Sequence, residues 1–140
     1  METRDIISLL SKIRDKVNRF LVAEMGKHGI DGIGTSHGDI IYALFESPRL
    51  AMADISRRIH KDKSTVTALV DKLVRLGYVI KEKDREDTRV VYVALTPRGH
   101  DLKPVFESIS KEMLEQLYRD VTEKEKEDLL YVLKKIYDNL

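Results

Sequence analysis

Across Met52–Leu95 the apolar residues keep a helical spacing up to Gly77 and an extended spacing after it, and few folds accommodate that order. Met52 to Ile59 reads as a short helix with Ile55 and Ile59 turned inward. His60-Lys61-Asp62 is a tight turn, and Asp62 is placed to cap a second, longer helix. The segment Lys63–Arg75 carries Val66, Leu69, Val70 and Leu73 at i, i+3, i+4 and i+7, the stripe of a helix. Its other side holds Ser64, Thr65, Ala68, Lys72 and Arg75: small hydroxyl residues first, cations last. Such a face suits a helix entering a DNA major groove, because small side chains let the backbone approach base edges while cations reach phosphates. Short helix, three- or four-residue turn and longer helix form a helix-turn-helix. Beyond Gly77, a helix-ending glycine, Tyr78–Ile80 and Val90–Leu95 are β-branched and aromatic and read as strands. The intervening Lys81–Arg89 is almost wholly charged. Two strands with a charged tip directly after a helix-turn-helix make a wing.

The flanks return to helical spacing. Residues 4–25 place Ile6, Leu9 or Leu10, Ile13, Val17 and Phe20 or Leu21 on one face. A loop with Gly26, Gly29, Gly32 and Gly34 comes next; no strand precedes it, so it is not read as a nucleotide site. Ser36 is expected to cap a second helix, with Asp39 at N3, an apolar face of Ile40, Ile41, Leu44 and Phe45, and Pro48 as its stop. Thr96-Pro97 opens another helix. Leu102, Val105 or Phe106, Ile109, Met113 and Leu117 form one further stripe. After a capping box at Thr122 and Glu125, Leu129, Val132 or Leu133, Ile136 and Leu140 form the last. A central unit of some 60 residues cannot cover stripes this long, so they are expected to pack on each other or on a second copy. The dimer contacts expected are Ile6, Leu10, Ile13, Val17, Leu129, Leu133, Ile136 and Leu140. The fold class that results is mainly α with a small β-wing: a winged helix-turn-helix between N- and C-terminal dimerisation helices. The 140 residues form one domain, 36–99 serving DNA and 4–33 and 102–140 mainly dimerisation.

Net charge is only +1, but its distribution is uneven. Residues 1–50 hold 7 Lys/Arg and 7 Asp/Glu, residues 51–90 hold 10 and 7, and residues 91–140 hold 8 and 10, so the excess of three positive charges falls on the helix-turn-helix and wing. There are no cysteines, which removes disulfides, thiolate catalysis and Cys-ligated metals. No apolar run reaches the ~20 residues of a membrane span, and Met1-Glu-Thr-Arg-Asp5 does not resemble a signal peptide; a soluble, cytoplasmic protein with no membrane partner is expected. His28, His37, His60 and His100 lie far apart in sequence, so a zinc site would need distant segments. No Ser/His/Asp arrangement and no P-loop is present, and no enzyme activity and no cofactor are expected.

Three segments together resemble the MarR family of winged-helix regulators: Ser64-Thr-Val-Thr-Ala-Leu-Val-Asp-Lys-Leu-Val-Arg-Leu-Gly77, Asp84-Arg-Glu-Asp-Thr-Arg89 and Leu95-Thr-Pro-Arg-Gly99. The resemblance extends over nearly the whole chain. It implies a homodimer that binds palindromic double-stranded DNA, usually as a repressor, and releases it when a small aromatic or anionic effector binds between the DNA-binding and dimerisation regions. It also implies that Ser64, Thr65 and Thr67 are the hydroxyl positions of the recognition helix, Arg89 the wing arginine of the minor groove and Asp87 its acidic partner. Lys63, Ala68, Lys72, Arg75, Lys83 and Arg85 complete the expected DNA contacts. His37, Tyr42 and Phe45 are the residues expected at an effector pocket, against the alternative that they are ordinary core or capping residues.

Blander roles stand beside these. Ser64, Thr65 and Thr67 also suit helix capping, Lys72 and Arg75 a solvated face with an Asp71–Arg75 pair, and Arg89 a cross-strand ion pair. Two further functions stay open. The acids of the wing tip, Glu82, Asp84, Glu86 and Asp87, keep a protein-interaction module in view, and the histidines keep a metal-sensing regulator.

Overall fold

The computed structural model describes residues 1–140. A 3-10 turn, Thr3–Asp5, leads into α1 (Ile6–Lys27). Gly29, with φ +73°, reverses the chain after α1 in the left-handed conformation that glycine adopts without a Cβ clash. Helix α2 (Thr35–Glu46) begins one residue before the expected cap. Gly34 is the N-cap and Ser36 already lies inside the helix. The N3 side chain that reaches back is His37 rather than Asp39: its Nδ1 accepts the Gly34 N–H at 3.0 Å. A ring nitrogen does the work that the capping-box pattern reserves for a carboxylate.

β1 (Leu50–Ala51) was not expected from the sequence, since two residues are too few to show a period. The helix-turn-helix comes next as α3 (Met52–Ile59) and α4 (Lys63–Arg75). His60, in the left-handed region at φ 55°, makes the turn between them. The wing is β2 (Val79–Lys83) and β3 (Val91–Leu95), antiparallel with Val79 opposite Leu95 and Lys83 opposite Val91. β1 adds to the far side of β3, Leu50 opposite Val93, giving the sheet order β1-β3-β2. β2 runs three residues past Ile80: Lys81, Glu82 and Lys83 pair their backbone with β3 and keep their side chains in water.

Thr96 joins the wing to the C-terminal helices. Its hydroxyl donates to the Gly77 carbonyl at 2.6 Å and accepts the Gly99 N–H at 3.1 Å, capping the one-turn α5 (Pro97–His100). A Cβ on Gly99 would stand 2.2 Å from the Tyr78 carbonyl oxygen, so only glycine lets α5 approach the wing base this closely. α6 (Leu102–Leu117) and α7 (Glu123–Asp138) complete the chain, and Thr122 and Glu125 form the expected reciprocal cap.

Ile40, Ile41, Ile55, Val66, Val70, Leu73, Val79 and Val93 are fully enclosed, one group contributed by α2, α3, α4 and the sheet. Met25, Ile30 and Ile33, together with Leu102, Phe106 and Ile109, extend this core. The core is therefore continuous across the boundaries 36 and 99 that the sequence suggests. The far ends differ. α7 buries no residue, and Leu129, Val132 and Leu140 stay exposed, as do Ile6, Leu10 and Ile13 at the start of α1. No helix is long and apolar enough to cross a membrane.

Candidate nucleic-acid interface

α4 is anchored from inside and capped from outside. Val66, Val70 and Leu73 are buried, and Leu69 packs half-buried against the same core. Asp62 Oδ1 accepts the Thr65 N–H at 2.7 Å and the Ser64 hydroxyl at 3.1 Å. The Thr65 amide in particular holds the Asp62 carboxyl below its usual range. With the first turn fixed, Lys63, Ser64, Thr65, Ala68 and Arg75 face solvent. Thr67 is half-buried and donates its hydroxyl hydrogen to the Lys63 carbonyl at 2.9 Å, so outwardly it can only accept. Lys72 differs from the other outer residues. Its side chain lies beside Gly32, with Nζ 3.6 Å from where a Cβ there would sit, so it leans on the loop between α1 and α2. Asp71 pairs with Lys81 of β2 at 2.6 Å rather than with Arg75, because the wing brings a cation closer than the next helical turn does.

The wing tip is built by two aspartates. Asp84 Oδ1 accepts the N–H groups of Glu86 at 2.8 Å and Asp87 at 3.1 Å, which depresses its pKa. Asp87 Oδ1 accepts the Arg89 backbone N–H at 3.1 Å and its Nε at 3.0 Å, and Oδ2 accepts Nη2 at 3.1 Å. That two-point grip lowers the Asp87 pKa and raises that of Arg89. A planar guanidinium held at two points is fixed in direction as well as position. The Arg89 side chain is nevertheless 89% exposed, presented rather than buried. Lys83 and Arg85 are exposed beside it.

Between α4 and the wing runs a cleft of about 570 Å³, whose walls include Met52, Ser56, Lys63, Thr67, Lys81 and Arg89. Lys81 and Ser56 were missed in the sequence. Lys81 gave a signal, being a cation on the first wing strand; Ser56, on the short helix, gave none. Arg49 was also missed. Its guanidinium stacks 3.8 Å over the Tyr92 ring, on a residue that the sequence places in a featureless connection after Pro48.

A second cavity, about 200 Å³, lies where α1, the first turns of α2 and α6 meet. Of the three residues expected at an effector pocket, only Tyr42 lines it. His37 is turned to the Gly34 amide, and Phe45 packs edge-on against Tyr42 and Phe106, half-buried at the core. The helical wheel places all three on one side of α2 and cannot say that a cavity opens at only one of them. Burial, and then the Lys72 ammonium, push the His37 pKa down. No three His, Asp or Glu side chains stand close enough to hold a metal ion.

Residues 28–90 match the model of the MarR family. The HTH-type transcriptional regulator SarZ of Staphylococcus haemolyticus is 31% identical over 100 residues, 71% of this chain and 67% of that protein. The chain belongs to the MarR family of transcriptional regulators. Its fold is that of solved members. A MarR protein from Peptoclostridium difficile superposes with a TM-score of 0.88 at 19% identity, covering 99% of this chain and 89% of the other. The MepR–DNA complex of S. aureus gives 0.86 at 24% identity over 95% and 96%. Its relatives are named as regulators and not as enzymes. The matches span about two thirds of the S. haemolyticus SarZ and 60% of the SarZ of Staphylococcus epidermidis. Within this MarR-family regulator the family match covers the loop before α2, the helix-turn-helix and the wing up to Val90, the same stretch that holds α4, the clamped arginine and the basic cleft.

Proposed function

We propose that this regulator is a homodimeric repressor that binds palindromic double-stranded DNA, with α4 in the major groove and the Arg89 wing in the adjacent minor groove. The observation that carries this reading is the juxtaposition of an exposed Lys63-Ser64-Thr65 turn with the cleft walled by Lys63, Lys81 and Arg89. A phosphate strand passing between helix and wing meets cations on both sides, and an arginine already held by Asp87 loses less rotamer freedom on entering a narrow groove. The S. aureus MepR was solved with DNA on the same fold, which supports DNA as the partner. Lys63, Ser64, Thr65, Thr67, Ala68 and Arg75 are assigned to the major-groove side, and Lys83, Arg85 and Arg89, with Asp87 in support, to the wing. Lys72 reaches a phosphate only by leaving the α1–α2 loop.

Two copies are required because a single α4 reads only a few base pairs. Joining the uncovered stripes of α1 and α7 sets two α4 helices about one DNA turn, roughly 34–36 Å, apart. Residues 36–99 are thus assigned to DNA, and the outer parts of α1, α6 and α7 to dimerisation. The 200 Å³ cavity between them is assigned to an effector that relieves binding. A protein-docking wing finds less support here, because Asp84 Oδ1 and both Asp87 oxygens are taken up by the turn and by Arg89.

The test is selection of bound sequences from random duplexes, followed by titration against salt. An inverted repeat with half-sites about ten base pairs apart, and affinity falling steeply with salt as counterions are released, are the expected results. Absence of any association with duplex DNA at low salt would sink the reading.

A further inference from the structure

The cavity between α1, α2 and α6 has a lining that bears on the charge of its ligand. Its walls are largely apolar, among them Leu21, Met25, Phe106 and Met113. An anion is held best by a cationic side chain. No lysine, arginine or histidine lines it. Of the hydroxyls that do, Thr35 donates to Asn18 Oδ1 at 2.8 Å and Tyr42 donates to the Phe106 carbonyl at 2.9 Å.

The one charged residue of the lining is Asp39. Its carboxylate has no ion-pair partner and no hydrogen bond within the chain. Asp39 lines the cavity yet stays exposed to solvent; partial desolvation raises its pKa against the opposing pull of Arg14 and Lys61, neither of which lines the cavity. A lone carboxylate at an apolar wall is the complement of an ammonium. The Tyr42 and Phe106 rings, 5.5 Å apart, add the quadrupole attraction that aromatic faces offer a desolvated cation. Gly34 and Gly38 keep the space open: a Cβ at Gly34 meets nothing within 4 Å, and one at Gly38 would point at Phe106.

We propose that this cavity binds a small lipophilic cation, an amine or quaternary ammonium on an apolar body, with Asp39 as its counter-ion. The assignment rests on the effector reading of the same cavity. At about 200 Å³ the cavity is below the roughly 300–1,000 Å³ of drug-sized sites, which limits the ligand to a compact molecule.

The full chain is titrated by calorimetry with benzyltrimethylammonium, with phenylacetate as a matched anion and benzyl alcohol as a neutral control. The cation is expected to bind at least tenfold more tightly than the anion. Asp39→Asn is expected to remove most of that preference and Asp39→Glu to restore part of it. Gly38→Leu, which fills the cavity without touching its charge, is expected to weaken all three probes. Equal or tighter binding of phenylacetate overturns the proposal. So does cation binding indifferent to Asp39→Asn, or failure of every probe to bind. The same titrations repeated with selected operator DNA separate the two readings: Asp39-dependent cation binding that leaves DNA affinity unchanged keeps the ligand and removes the effector role.

Discussion

Arg89 and Asp87 form the unit on which the wing's chemistry turns. The two-point grip leaves the arginine exposed yet directed, so its charge is available at little further entropic cost. Arg89→Ala is expected to lower operator affinity by about tenfold to a hundredfold, and to reduce the salt dependence by about one counterion. Asp87→Asn is expected to give a smaller loss, because the guanidinium remains but must be ordered by DNA; fluorescence anisotropy across a salt series measures both. His37 supplies a pH prediction. Its folded pKa lies below the ordinary value because burial and Lys72 disfavour the imidazolium, while its Nδ1 must stay unprotonated to accept the Gly34 amide. The folded state therefore binds fewer protons than the unfolded one. The stability tied to neutral His37 is full above the unfolded pKa of about 6.5, and is lost as pH falls from there through the lower folded value. Melting temperature measured from pH 8 to pH 5 should fall in the wild type and fall less in His37→Asn, whose side-chain oxygen can still accept the amide.

At the scale of elements, the informative contact is between α5 and the wing base. Thr96 links Gly77 to Gly99, and Gly99 allows the Tyr78 carbonyl to sit where a side chain would be. Because the colliding atom is backbone, a methyl there cannot be accommodated by a rotamer change. Gly99→Ala is expected to destabilise the chain by about 1–3 kcal/mol, as over-packing does. Thermal unfolding should show it. Helix α4 touches two neighbours in ways that a helical wheel does not contain. Asp71 binds Lys81 of the wing, and Lys72 rests on the α1–α2 loop near His37. The first turns of α2 also line the 200 Å³ cavity, so a ligand there and α4 share one piece of backbone.

At the scale of the molecule, the uncovered apolar residues are what the proposed dimer has to cover. α7 buries none of its side chains, and its Leu129, Leu130, Val132 and Tyr137 are at least 46% exposed, which a lone protomer in water does not sustain without cost. Leu133→Asp combined with Ile136→Asp is expected to give a monomer by sedimentation equilibrium, with operator affinity lost and the melting of the winged core largely retained. A variant that stays dimeric, or a monomer that binds the operator as tightly as the wild type, would remove the terminal helices from the interface. The continuity of the core from Met25 to Ile109 explains why the centre should survive: the enclosed residues come from α2, α3, α4 and the sheet, and α7 contributes none of them.

Local order was legible wherever a period ran long enough. The stripe Val66, Leu69, Val70 and Leu73, the caps at Asp62, Thr96 and Thr122, and the switch to strands after Gly77 all arise from backbone and side-chain preferences that act within a few residues. So does the family resemblance, which rests on contiguous runs. Contacts between distant segments were not legible. The short β1, the His37 cap in place of Ser36 and Asp39, the Asp71–Lys81 pair, Arg49 on Tyr92 and the emptiness beside Asp39 each depend on which surfaces meet. Hydrophobic spacing tells a residue to turn inward but is the same for a filled core and for a cavity wall. Only the packing of α1, α2 and α6 decided that Phe45 fills space while Tyr42 borders it.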